Sequence, residues 1–388
     1  MSTPGSPTMD IDSYALFSRN QYDAHRLTRD LLEDSMHRLS TRCKLEDDAE
    51  PKQNQRRLIA DLGSADGSSS LATLYFAVRS LQSKYNMIDG SPQPLNIIFE
   101  EHPASDEKKL ISTLKSKKEW FERNDITWDV LMKSFYEPLF DPESVDFLMS
   151  YICLHWLDTT DVPSGEGISH WKSLGDEDRL NACNWVCVNE ATTPLRVREA
   201  WRSKLANNHL AKFLALRARE LKPGAEMLLV MVGHPHEFVT FQTLRDGEKT
   251  GPLTRAMKRC IQRGELRKEI LDKTVVPCFL RTVDDVRAAV KIAETFEIDN
   301  ETPGAMLELI DCRSVAAVTK DDDNSMDGIF DLFWSIHMRC IQTASPTDDE
   351  LKSIKAETRR VFDEVYDANE GVPSTFVACV LRRRPEYQ

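Results

Sequence analysis

Apolar positions along the chain recur at two periods. Over residues 14–39 they fall at helical spacings, with Leu27, Leu31, Leu32, Met36 and Leu39 among them. A charged stretch, 44–52, then reads as a linker. After it, apolar runs alternate with amphipathic stretches. The spacing predicts strands over 57–62, 95–99, 145–151 and 226–232. It predicts helices over 69–84, with Leu71, Leu74, Val78 and Leu81 on one face, over 106–123, and over 200–221. Pro223-Gly224 turns the chain into the run 226–232, whose continuous apolar character suits a strand buried on both faces. Such alternation predicts a mostly parallel sheet covered by helices.

Beyond Gly233 the pattern is helical and less regular as far as residue 344, and it interrupts the sheet rhythm. Residues 1–10 read as a flexible start, 11–232 with 345–388 as an α/β core, and 233–344 as a mainly helical cap over the sheet edge where ligands bind. A helix over 348–369 and a strand over 374–382 return the chain to the core. In the cap, Phe330, Phe333, Trp334 and Met338 share one apolar helical stretch, which lines an acceptor pocket or forms an internal core face.

Composition narrows the function classes. The 388 residues are 41% hydrophobic and 29% charged, as in an ordinary globular protein. A formal charge of -13 argues against a nucleic-acid surface, and the one dense basic patch, Arg382-Arg383-Arg384, reads as a solvated tail. Nine scattered cysteines without a C-x-x-C pair suit a reducing compartment. No apolar run reaches the roughly 18 residues of a membrane helix. These features together predict a cytoplasmic protein.

The stretch "LIADLGSADGSSSL" (58–71) carries the candidate chemistry. Asp61 and Gly63 end the first strand, Gly67 precedes the next helix, and glycine lets backbone approach a ligand closely. A phosphate loop would need a Gly-Lys-Ser/Thr ending, and a dinucleotide loop other glycine spacings. The acid at the strand end would repel a pyrophosphate but suits a sulfonium and its amino-acid tail. D-x-G-x-x-x-G therefore matches S-adenosylmethionine (SAM) better than NAD or ATP. A second acid pair, Glu100-Glu101, ends the next strand, where a carboxylate can accept both ribose hydroxyls or merely solubilise the strand end.

With these residues in view the chain resembles the SABATH family of SAM-dependent carboxyl methyltransferases. The similarity runs in order through "DSYALFSRNQY", "IADLGSADGSSS", "IIFEEHPASD", "SFYEPLF", "LMSYICLHWLDTTDVP" and "NNHLAKFLALRARELKPGAEMLLVMVG". It implies a Rossmann-like class I methyltransferase core with a helical cap. It also implies a segment that closes over the site, with Tyr14 and Ser18 toward the cofactor and Gln21 toward the substrate carboxylate. Asp61, Gly63 and Gly67 match the first loop, Ser69 stands where plant members carry Asn, and Glu101 replaces a customary Asp. Ser134 and Phe135 would flank adenine and ribose, and Ser150 joins the cofactor contacts. His155 and Trp156 form the substrate end, walled by Phe333 and Trp334 if the apolar stretch is a pocket. The tyrosine of the family's "HSSYSLHWLS" pattern is displaced by one, to Tyr151.

The resemblance further implies a homodimer and a magnesium ion remote from the chemistry. Asn189 and Asp272 correspond to two of its ligands, although they serve equally as turn residues, and Thr274 and Val275 stand where further partners would be expected. The implied activity is O-methylation of a small, largely apolar carboxylic acid. A carboxylate is already ionised at neutral pH, so no general base is needed and positioning carries the rate. Nitrogen methylation of a small heterocycle, or non-catalytic binding of a small acid, are the alternatives.

Overall fold

A computed structural model describes residues 19–49, 56–85, 92–158, 193–234, 251–297, 306–319, 326–367 and 369–385. Among the described residues seven strands form one sheet: β1 Arg57–Leu62, β2 Leu95–Glu101, β3 Ile126–Met132, β4 Val145–Tyr151, β5 Leu221–Val232, β6 Leu307–Thr319 and β7 Val372–Arg383. Their order is β3-β2-β1-β4-β5-β7-β6. The first five strands are parallel, whereas β7 runs antiparallel between β5 and β6. The order reverses between β1 and β4, and in open sheets of this kind a ligand crevice lies outside the strand ends at that reversal.

The strands alternate as a pleated core requires. Ile59, Phe147 and Met149 face one apolar cluster, which is closed by helices α1 Arg19–Leu27, α2 Arg29–Ala49 and α3 Ser68–Tyr85. Ala60, Leu62 and Leu148 face the other. Between β2 and β3 lie α4 Glu107–Lys115 and α5 Lys118–Arg123. The second face is covered by α7 Asn207–Glu220 and α10 Val283–Ala293, after α6 Leu195–Trp201 and before the last pair of strands. Each fully buried Leu or Phe contributes roughly 1.5–3 kcal/mol to this assembly. A third cluster joins α8 Pro252–Gln262, α9 Lys268–Lys273, α11 Asp327–Gln342 and α12 Asp348–Val365 through Met257, Ile270, Phe333 and Phe362.

Several elements differ from the sequence reading. The charged stretch after residue 44 continues α2 to Ala49, because the buried guanidinium of Arg57 pairs with Glu46 and, at 2.6 Å, with Asp47. The helix expected over 106–123 is two helices, α4 and α5. The helix expected from 200 starts at Leu195 and passes through a π turn, Arg202–Ala206. Strand β5 starts at Leu221 and absorbs Pro223-Gly224 as a bulge, its partners jumping from Val145↔Leu221 to Phe147↔Glu226. Strands β3 and β6 were not expected, and β6 lies inside the stretch read as cap, where it serves the core sheet. Arg382 and Arg383 are no solvated tail: both belong to β7, where Arg382 pairs with Glu226 at 2.8 Å and Arg383 bonds to Leu221 O at 2.6 Å.

Candidate active site

The β1–α3 loop is shaped by acids on the neighbouring strand. Gly63 N–H donates to Glu100 O and to its Oε2, each at 3.0 Å, and Ala65 N–H donates to Glu101 Oε2 at 2.5 Å. Gly63 has φ +78° and Gly67 φ +83°, in the region open to glycine. A Cβ at Gly63 would also stand 2.6 Å from Cys153 Sγ, so the chain crosses the β4 turn with no room for a side chain. The hydroxyl of Ser64 donates to Asp61 Oδ2 at 2.9 Å.

Three carboxyl groups thus converge on one loop. Burial pushes Asp61 up to about 6, opposed by hydrogen bonds from Ser70 and Ser64. Glu100, fully buried, is raised well above the ordinary glutamate value by burial and by the charge of Glu101. Glu101 also accepts from His102 N–H at 2.8 Å and from Ser105 Oγ at 2.9 Å. Such a cluster favours a cation and disfavours a phosphate.

A narrow cleft of only about 10 Å³ lies beside it, lined by Gln21 and His25 of α1, Asp61, Gly63 and Ser64 of the loop, Ser69, Ser70 and Thr73 of α3, and Tyr151. Gln21, Asp61, Gly63 and Ser69 therefore lie around one cleft. Tyr14 and Ser18 lie outside the described residues. Ser134 and Phe135 follow β3 directly beside Glu101, whose carbonyl accepts from Lys133 N–H at 3.0 Å. The hydroxyl of Ser150 has an internal role: it donates to Leu62 O at 3.1 Å and lies 2.8 Å from Cys153 Sγ, so it joins β1 to β4 and does not enter the cleft. His25 was not expected. Its ring meets Tyr151 edge-on with centroids 4.3 Å apart, and the Thr73 hydroxyl lies 2.6 Å from its Nδ1. Burial lowers its pKa to about 4, so the ring is neutral at physiological pH. The sequence signal for it was its place four residues after Gln21, on the same helix face.

Past Tyr151, Ile152 takes φ +54°, an outlier for a β-branched residue, and the chain turns into His155 and Trp156. The segment 277–279 clasps this turn: Leu157 N–H donates to Pro277 O and Phe279 N–H to His155 O, both at 2.8 Å. Tyr136 adds a hydroxyl bond to Trp156 O at 2.8 Å. His155 Nδ1 and Trp156 Nε1 are buried and have no hydrogen-bond partner among the described residues. Burial first, and the charge of Arg281 second, lower the His155 pKa to about 3. Trp156 packs against the cluster that contains Phe330, Phe333 and Trp334. The last two are buried, and Phe333 stacks within 4.2 Å of the His337 ring.

Of the two expected magnesium ligands only Asp272 is described. Both oxygens of Asp272 lie 2.6 Å from Lys268 Nζ, and Asn189 falls outside the described residues. Among the described residues no group of three or more His, Cys, Asp or Glu is arranged to hold a metal.

A family profile described as SAM dependent carboxyl methyltransferase matches residues 8–326. The chain belongs to that family. This methyltransferase is 26% identical over 297 residues to a probable caffeine synthase of Coffea canephora, covering 74% of this chain and 71% of that protein. It is 24% identical to loganic acid O-methyltransferase of Catharanthus roseus, over 62% of this chain and 60% of that protein. With gibberellic acid methyltransferase 1 of Arabidopsis thaliana it shares 26% identity, over 62% of each. The methyltransferase fold is that of a solved loganic acid methyltransferase with SAH, at TM-score 0.71 and 17% identity over 98% of this chain and 99% of that one. No described helix is long and apolar enough to cross a membrane.

Proposed function

We propose that the protein transfers the methyl group of SAM to the carboxylate of a small, largely apolar acid. Bound SAM supplies an electrophilic methyl group on a positively charged sulfur. Asp61, with Gly63, Gly67 and Ser69, suits its amino-acid end, and the acid cluster favours its positive charge. Glu101 suits the ribose hydroxyls: a carboxylate accepts about four hydrogen bonds, so ribose would share it with, or displace, Ala65 N–H. Ser134 and Phe135 suit the adenine side. Tyr14 and Ser18 suit a segment closing over the cofactor.

One observation carries the acceptor assignment. The indole N–H of Trp156 is buried with no acceptor among the described residues. An unsatisfied buried donor costs roughly 1–3 kcal/mol, and a carboxylate oxygen is the acceptor that would relieve it. Gln21, buried beside Asp61 and Gly63, carries an amide that suits donation to the other oxygen. Neither group competes as a nucleophile. The apolar residues packed around Trp156, Phe333 and Trp334 among them, suit a hydrocarbon or aromatic body, and they support a cap over 233–344 except at β6.

Incubation of the purified protein with SAM and a panel of aromatic, aliphatic and terpenoid acids, with nitrogen heterocycles alongside, tests the reading by mass spectrometry. Methyl esters with SAH are the expected products. Methylated heterocycles alone would replace the acid by a nitrogen acceptor, as the name of the caffeine synthase relative suggests for that protein. SAM binding without any product would favour a non-catalytic protein. The family resemblance supports a homodimer, which light scattering checks. The seven described cysteines, all free thiols, support a cytoplasmic location, which imaging of a tagged protein checks.

A further inference from the structure

Among the largest fully buried side chains are three arginines, Arg57, Arg217 and Arg281. Two have carboxylates: Arg57 pairs with Asp47 at 2.6 Å, and Arg217 with Glu220 at 2.8 Å. Arg281 has none. Its Nη1 bonds to Leu154 O, its Nη2 donates to Ala206 O at 2.9 Å, and its Nε is buried without a partner. The nearby charges are matched among themselves, Asp285 with Arg202 at 2.8 Å and Asp158 with Lys212 at 3.7 Å. Burying an ion without a directly paired counter-ion is costly, and here carbonyls, Tyr136 and the more distant charge of Asp285 take the place of an ion pair.

The position gives the charge a use. Leu154 O precedes His155 directly, and Ala206 closes the π turn, so one guanidinium pins both against the segment 277–281. Its backbone is fixed in turn, since Arg281 O accepts from His234 N–H at 2.7 Å and α10 begins next to it with a Thr282–Asp285 capping box. The field reaches the acceptor end, where it disfavours a charged His155.

Resting on the acid-methylating reading, we propose that Arg281 is a positioning and specificity-determining residue. It fixes the turn that carries His155 and Trp156, and its positive charge, held by carbonyls and not by a direct ion pair, selects an anionic acceptor over an uncharged one of the same shape. The same charge distinguishes substrate from product. As the carboxylate oxygen bonds to the methyl carbon, the carbon–sulfur bond breaks and its electron pair passes to sulfur, leaving a neutral ester and a neutral sulfide. The ester then has no charge for Arg281 to hold.

The test compares the panel acid that gives most ester with its own primary amide, used as a competitor, in the wild type, Arg281→Met and Arg281→Lys. The expected result for Arg281→Met is a fall of at least about tenfold in the acid-over-amide preference, with SAM affinity by calorimetry unchanged. Arg281→Lys loses the paired carbonyl bonds but keeps the charge, so it retains the preference while KM for the acid rises. An unchanged preference in Arg281→Met overturns the proposal. If Arg281→Met does not fold, loss of preference in a folded Arg281→Lys overturns it equally. Failure of the wild type to esterify any acid would instead remove the reading beneath it.

Discussion

Asp61 carries opposed demands from stability and from binding. Its folded pKa of about 6 lies above the ordinary aspartate value of 3.8, so the free protein gains stability as pH falls through 6 and loses it as pH rises. Each unit is worth about 1.4 kcal/mol, so the ionised, buried carboxylate costs at most ~3 kcal/mol at neutral pH. Asp61→Asn is therefore expected to raise the melting temperature of the cofactor-free protein by a few degrees at pH 7.5, while weakening SAM by tenfold or more. In the wild type SAM affinity should hold above about pH 7 and fall as pH drops through 6. Calorimetric titration across that range checks both, and a flat profile would remove Asp61 from the cofactor end. His25 and His155, lowered to about 4 and 3, contribute no inflection between pH 5 and 9. Trp156→Phe keeps the packing and removes the N–H. The expected effect is about a tenfold rise in KM for the acid with SAM binding intact, measured by ester formation and calorimetry.

The strand–loop–helix unit around Gly63 gives the cleft its floor. Gly63→Ala meets a left-handed backbone and the Cys153 side chain together. It should abolish cofactor binding, and adding Cys153→Ala should not restore it, because the backbone conformation still excludes a Cβ. Legibility in the sequence follows the same physics. β1 and β4 have both faces buried, so their apolar runs were readable to the residue. The edge strands were not: in β3, "ITWDVLM", and β6, "LELIDCRSVAAVT", polar residues interrupt the apolar run and few positions are fully buried, so neither was told apart from loop or cap. The Gly-rich loop was readable because glycine spacing is local. His25 against Tyr151, Glu100 under Gly63 and Arg281 on Leu154 were not, since each depends on contacts between distant parts of the chain.

At the scale of the molecule, the helices of the stretch read as a cap share their packing with the C-terminal segment. The cluster around Phe330 and Trp334 includes Phe362 and Val372 from the C-terminal core segment, and Trp156 from the end of β4 packs onto it. Scanning calorimetry is therefore expected to give one cooperative transition, whereas two separated transitions would make the cap an independent domain. The position of β7 has a further consequence for how the chain is made. β6 pairs with β7 alone, and β7 fills the slot beside β5. During synthesis the ribosome delivers β5 and then β6 before the strand that joins them exists, so two open edges wait on the nascent chain. An open edge invites pairing with other chains. Completion of the sheet is thereby postponed until residues 372–383 emerge, and a message broken before them would yield a polypeptide with most of the cofactor loop intact but a sheet that cannot close.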